Sequence, residues 1–219
     1  MSTLSIQTLG ELSIERAGAP VELPPSRRTR ALLAYLLITG RSHRREHLCE
    51  LLWWMPDDPR GALRWSLSKI RSLLNDPSHE YLSADRERVT MDTRGMAIDL
   101  RQIRAVLDRG DSAVGALDQL VTALEQPFLD GVDIDDQPQF QEWLNAEREA
   151  VRRLRLQALR QLAIHPELPP QRVLESARSW ASEEPFSRAA ATHWLATLQR
   201  FGETAEASRC AAEYADRFR

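Results

Sequence analysis

The sequence predicts an α+β domain at residues 1–92 followed by an all-α domain at residues 98–219. Three observations carry this expectation. Alternation of apolar and polar residues, the mark of half-buried strands, is confined to residues 4–23 and 81–91. Between them lie three stretches with helix start and stop signals. Beyond residue 98 apolar residues recur at spacings of 3, 4 and 7, as on a buried helical stripe. At 219 residues and 25.0 kDa the chain has room for both domains.

The elements follow in order. Leu4, Ile6 and Thr8, then Leu12 and Ile14, alternate with polar neighbours on either side of Gly10. Ala17-Gly18-Ala19-Pro20 is a turn into residues 21–23, so a small antiparallel sheet is expected, ended by Pro24-Pro25. Ser26 is the expected N-cap of a first helix from Arg27 to about Thr39, with Gly40 just past its end. Ser42 is the expected cap of a second helix through about Trp53, with Leu48, Leu51 and Leu52 inward. Pro56 and Pro59 interrupt the helical pattern, because proline lacks an amide donor and constrains its predecessor. A third helix then covers about residues 60–75, and residues 81–83 and 89–91 pair as a hairpin around a tip at 85–88.

In the second domain Val114, Leu117, Leu120, Val121 and Leu124 form one stripe. Residues 128–137 read as an acidic loop and about 138–163 as a long helix, with Phe140, Trp143, Leu144, Val151, Leu154, Ala158 and Leu162 inward. Shorter helices are expected over 169–182, 187–201 and 203–217. Trp194, Leu198 and Phe201, followed by Gly202, Ala207, Cys210 and Tyr214, have the pattern of one tetratricopeptide-like hairpin, and residues 154–186 are a weaker copy.

Composition excludes several classes. No apolar run approaches the ~20 residues of a membrane span, and no signal peptide opens the chain. Two cysteines, Cys49 and Cys210, cannot build a disulfide framework and fit a reducing cytoplasm. A net charge of -3 gives no bulk sign of a polyanion partner, yet residues 26–88 alone hold 12 basic and 8 acidic residues. Of the 29 basic residues only Lys69 is lysine.

The third helix concentrates the functional signal. At about 100° per residue Leu63, Leu67, Ile70 and Leu74 share the core face. Gly61, Trp65, Ser68, Lys69 and Ser72 lie opposite, with Arg64, Arg71 and Asn75 on the flank, and this outward surface has no acidic residue. Such a face suits the major groove of double-stranded DNA, which admits one helix and offers guanine acceptors and thymine methyls. Base choice is expected from Arg64, Trp65, Ser68, Lys69 and Ser72, with Arg60 and Arg71 on the same helix. Trp65 also has the alternative of packing on the second helix. Arg27, Arg28 and Arg30 crowd the start of the first helix, and His43, Arg44 and Arg45 the start of the second, where cations are unfavourable unless an anion lies nearby. These arginines, with Arg86 and Arg88 at the hairpin tip, are the expected phosphate contacts. Against this stands a helical core with a solvated, arginine-rich surface.

These residues also carry a resemblance. Leu9-Gly10-Glu11-Leu12, Arg30-Ala31-Leu32-Leu33-Ala34-Tyr35-Leu36, Leu51-Leu52-Trp53 and the run from Ala62 to Arg71 resemble the OmpR-type winged-helix domain of SARP-family transcriptional regulators. Phe128-Leu129-Asp130-Gly131-Val132-Asp133, then Trp143-Leu144 and Glu147-Arg148, resemble that family's bacterial transcriptional activation domain. The resemblance implies a cytoplasmic activator that binds promoter direct repeats as side-by-side copies and recruits RNA polymerase. It makes the third helix the recognition helix, Arg86 and Arg88 the wing, and Trp54, Met55, Asp57 and Asp58 the candidate polymerase-contact loop. Two departures stand out: the wing is short and lacks glycine, and the chain ends inside its last helix, earlier than the family's domain usually does. The early end implies a piece of a longer regulator.

Other signals are weaker. His43-Arg44-Arg45-Glu46-His47 fits an H-x-x-E-H zinc pattern, but it is short and a small three-helix domain has little room for a third ligand. Asp130, Asp133, Asp135 and Asp136 lack the order and closing glutamate of a calcium loop, so a solvated or partner-facing acidic loop is expected. Trp53, Trp143, Trp180 and Trp194 read as core. With no Gly-rich phosphate loop and no supported catalytic set, neither an enzyme nor a cofactor is expected. The rival of a different class is an interaction adaptor whose helical hairpins hold a partner while the winged helix is only structural.

Overall fold

The computed structural model describes residues 4–54, 58–110 and 113–218. The chain forms two compact units, each drawn from separate stretches: residues 1–103 with 126–150, and residues 104–125 with 151–219. This division departs from a cut between residues 92 and 98.

The first unit begins with β1 (Leu4–Gln7), β2 (Ser13–Arg16) and β3 (Ala19–Pro20), whose alternation buries Leu4, Ile6 and Ile14. The expected antiparallel sheet is present, with two differences. Its third strand is Ala19–Pro20, inside the expected turn, and not residues 21–23. In addition, β7 (Ala97–Ile98) lies parallel to β1, giving the order β3-β2-β1-β7. Asp99 fixes that edge by accepting hydrogen bonds from the Thr8 and Leu9 amides at 2.7 and 3.0 Å and from the Thr8 hydroxyl at 2.6 Å.

Helix α1 (Arg27–Thr39) has the expected bounds. Ser26 Oγ accepts from the Thr29 amide, and Gly40, at φ 56°, donates its N–H to Leu36 O. The start of the second helix differs from expectation. Ser42 caps nothing; it opens β4 (Ser42–Arg44), which pairs with β6 (Arg88–Met91), and α2 (Arg45–Leu52) begins only afterwards. Ser42 Oγ instead accepts from Arg88 Nε and Thr90 Oγ1, each at 3.0 Å. The strand ladder thus takes the residues that local capping preference would give to a helix. The third helix, α3 (Pro59–Leu74), starts one residue early, with Pro59 in its first turn and Asp58 as N-cap accepting from the Gly61 amide at 2.7 Å.

The expected hairpin is β5 (Leu82–Ala84) with β6, and β4 completes an antiparallel sheet of order β4-β6-β5. Its tip needs no glycine. Asp85 Oδ1 accepts from the amides of Glu87 and Arg88, both at 2.7 Å, while the Asp85 amide donates to Arg88 O. That aspartate turn closes the wing.

Residues 126–150 belong to the same unit. Leu129 N–H donates to Thr8 O and Gly10 N–H to Pro127 O, both at 2.8 Å, and Trp143 meets Tyr35 edge-on at 4.9 Å between ring centres. The 128–137 segment is therefore less solvated than its composition suggests. Phe128, Leu129, Val132 and Ile134 are buried, and Arg148 grips Asp133 at 2.7 and 2.8 Å. That guanidinium holds the Asp133 carboxyl well below the usual carboxylate range.

The second unit takes the later part of α4 (Asp99–Arg109), all of α5 (Val114–Ala123) and the second half of α6 (Pro138–Ala163). It then adds α7 (Pro170–Glu183), α8 (Arg188–Arg200) and α9 (Thr204–Arg217). Helix α7 packs on α8 and α8 on α9, around Ala177, Ala181, Trp194, Leu198 and Ala207. A second cluster joins Leu159, Ala163, Trp180 and Ala190. Among the described residues no helix is long and apolar enough to cross a membrane.

Candidate nucleic-acid interface

Helix α3 presents the expected two faces. Leu63, Leu67, Ile70 and Leu74 are buried, and so is Ser66, whose hydroxyl bonds Thr29 of α1 at 3.0 Å. Arg60, Arg64, Trp65, Ser68, Lys69, Arg71 and Ser72 are exposed. Trp65 is 49% exposed, and Lys69 Nζ lies over its ring, 5.4 Å from the centre. Ser72 Oγ donates to Ser68 O at 3.1 Å. Gly61 is fixed by the cap, since a Cβ there would collide with the Asp58 carboxylate.

Beside α3 opens a cleft of about 940 Å³, walled by the start of α3, the β4–α2 junction and the wing tip. It gathers Arg44, Arg45, Arg60, Arg64, Arg86 and Arg88 from positions far apart in sequence, together with Glu46, Asp85 and Glu87. Three of the six arginines have structural ties. Arg45 donates to Asp85 O at 3.0 Å, Arg88 donates to Ser42, and Arg60 lies 3.6 Å from Glu46. The side chains of Arg44, Arg64 and Arg86 have no hydrogen-bond or ion-pair partner among the described residues. The carboxylate of Asp85 is held below its ordinary range by the two tip amides, so it serves the turn itself. The three acidic residues are the part of this site that residue spacing missed; their only sequence signal is adjacency to the arginines.

The arginines of α1 are placed differently. Arg27, Arg28 and Arg30 do not line the cleft. Arg28 pairs with Asp136, and Arg30 donates to Pro24 O and Pro25 O at 3.1 and 3.0 Å. The anion expected near this helix start is thus supplied in part by the chain itself.

Of the loop before α3, Trp54 is 62% exposed and its amide donates to Gln137 Oε1 at 3.1 Å, while Asp58 is the α3 cap. Met55 and Asp57 lie outside the described residues. His43 and His47 do not share a helix: His43 is on β4, and its Nε2 bonds Thr39 Oγ1 at 2.8 Å. His47 Nε2 bonds the Tyr35 hydroxyl at 3.0 Å. Burial, together with Arg41, His47 and Arg88, lowers the His43 pKa to about 4. The described residues contain no group of three side chains suited to a metal ion.

No family model matches the chain, and no curated protein matches it. A solved structure does: Mycobacterium tuberculosis EmbR in complex with low affinity phosphopeptide, with a TM-score of 0.69 at 20% sequence identity. The match covers 99% of this chain and 61% of that one. The two proteins share a fold. This supports a winged helix followed by a helical domain for the chain. The present chain spans about three-fifths of that protein's length.

Proposed function

We propose that the protein is a sequence-specific DNA-binding transcriptional regulator rather than an enzyme. The observation that carries this reading is the cleft: six arginines converge beside an exposed helix face of Trp65, Ser68, Lys69 and Ser72 that has no acidic residue. Arginine-rich concavities suit phosphates, and the polar, aromatic face beside it suits base edges. Helix α3 is the recognition helix in this reading, and the β5–β6 hairpin is its wing. The regulator acts in the cytoplasm as an activator, binding direct repeats in promoters as side-by-side copies and recruiting RNA polymerase through the loop around Trp54 and Asp58. These finer features rest on the sequence resemblance to SARP regulators, and the fold shared with EmbR is consistent with them.

Selection from random duplex DNA by the full chain tests the proposal. Enrichment of a defined motif, with affinity falling steeply as salt rises, is the expected result. Failure to enrich any motif would favour the adaptor, in which the helical unit holds a protein partner.

A further inference from the structure

The exposed residues of α3 fall into two sets, which the cleft separates. Arg60 and Arg64, one turn apart, line it; Trp65, Ser68, Lys69, Arg71 and Ser72 do not. At about 100° per residue Arg64 sits roughly 140° around the helix axis from Lys69. Arg64 therefore lies on the flank towards the wing, while Trp65 lies opposite the buried stripe.

The cleft arginines divide too. Arg45 and Arg88 are tied to the wing tip and to Ser42, and Arg60 to Glu46, so they shape the cleft. Arg44, Arg64 and Arg86 come from three different elements and point no donor at a described residue. Three free guanidiniums around one concavity match the spaced, multidentate oxygens of a phosphodiester backbone. On the other flank, Lys69 lies over the Trp65 ring, which fixes an ammonium beside an apolar plate. That pair offers one donor for a guanine edge and one surface for a thymine methyl.

Resting on the DNA-binding reading above, we infer that α3 works through two separate flanks. Arg64, with Arg44 and Arg86, clamps one stretch of phosphate backbone, and the Trp65–Lys69 pair chooses the bases. Arg64 is thereby moved from the base-reading role that its helical position alone suggests.

The test compares the full-length wild type with Arg64→Ala, Lys69→Ala and Trp65→Ala. Binding is measured on the selected duplex and on a scrambled duplex across a salt series, and motif selection is repeated with each variant. All three side chains are exposed, and a thermal melt of each variant checks that it folds. Arg64→Ala is expected to weaken both duplexes by a common factor, reduce the slope of log K against log salt by about 0.9, and select the same motif. Lys69→Ala and Trp65→Ala are expected to lower the preference for the selected duplex roughly 5- to 100-fold. A changed motif with Arg64→Ala would overturn the division, as would equal losses on both duplexes with Lys69→Ala. A wild type that binds neither duplex would overturn the DNA reading and the division with it; binding with the roles exchanged would overturn the division alone.

Discussion

Two arginine clusters in the first unit look alike in sequence and differ in what the fold does with them. At the start of α1, Arg28 is paired to Asp136 and Arg30 donates to two proline carbonyls, while Arg27 is exposed without such a partner among the described residues. Around the cleft, Arg44, Arg64 and Arg86 have no such partner among the described residues. Charge density alone does not identify a phosphate site. A guanidinium already held by a carboxylate or by carbonyls gains less by meeting a phosphate than one held in water beside others, which gains charge-assisted hydrogen bonds.

The contrast depends on residues 126–150, which supply Asp136, being part of the first unit. Trp143 contacts both Tyr35 and Phe140 there, so Trp143→Ala is expected to cost about 2–3 kcal/mol in a urea melt. An unchanged melt would detach this segment from the unit, and with it the explanation of Arg28. The next effect concerns β4, which carries Arg44 into the cleft. His43 is neutral when folded, with a pKa near 4, but takes a proton below about 6.5 when unfolded. The unfolded state thus binds more protons between those values, so stability falls as pH drops from about 6.5 towards 4, by roughly 1–3 kcal/mol. Burial of the ring, with Arg41, His47 and Arg88 around it, accounts for the neutral form, and Thr39 Oγ1, which donates to Tyr35 O, is left to accept from His43 Nε2. His43→Asn should flatten this part of the pH profile; an unchanged slope would place the titration elsewhere.

Smaller effects attend the start of α3, which positions Arg60 and Arg64. Asp58→Ala is expected to cost about 1 kcal/mol by loss of the cap. Gly61→Ala should destabilise the wild type, where its Cβ meets the Asp58 carboxylate. It should stabilise the Asp58→Ala variant by about 0.5–1 kcal/mol, through alanine's better helix propensity. The same sign in both backgrounds would show that the cap does not require this glycine. The smallest effect is expected from Arg28→Ala: about 0.5 kcal/mol of stability from a partly exposed pair, with DNA affinity unchanged.

Much of this architecture could be read from residue spacing. Helix α6 ends where its apolar stripe does, and α1 between its serine cap and its glycine. The features that escaped are those set by distant partners. Strand β4 is three residues long, too short for alternation to signal it, and exists because Thr90, Val89 and Arg88 pair with it. Strand β7 has two residues and is anchored through Asp99, about 90 positions from the amides it receives. The first unit's use of residues 126–150 was hidden for the same reason. At the site, helical angles identified the exposed face of α3, but the split between satisfied and unsatisfied arginines depends on Asp136, Pro24, Pro25 and the wing turn.

A binding titration of two triple variants on one selected duplex tests the central claim most directly. Both variants would be made in the full chain, one replacing Arg44, Arg64 and Arg86 by alanine and the other Arg27, Arg28 and Arg30. The first is expected to lose on the order of 100-fold in affinity, with a salt slope shallower by about 2.7, while the second stays within a few-fold of wild type. Equal losses from both variants, or a larger loss from the α1 variant, would contradict the assignment of DNA binding to the cleft.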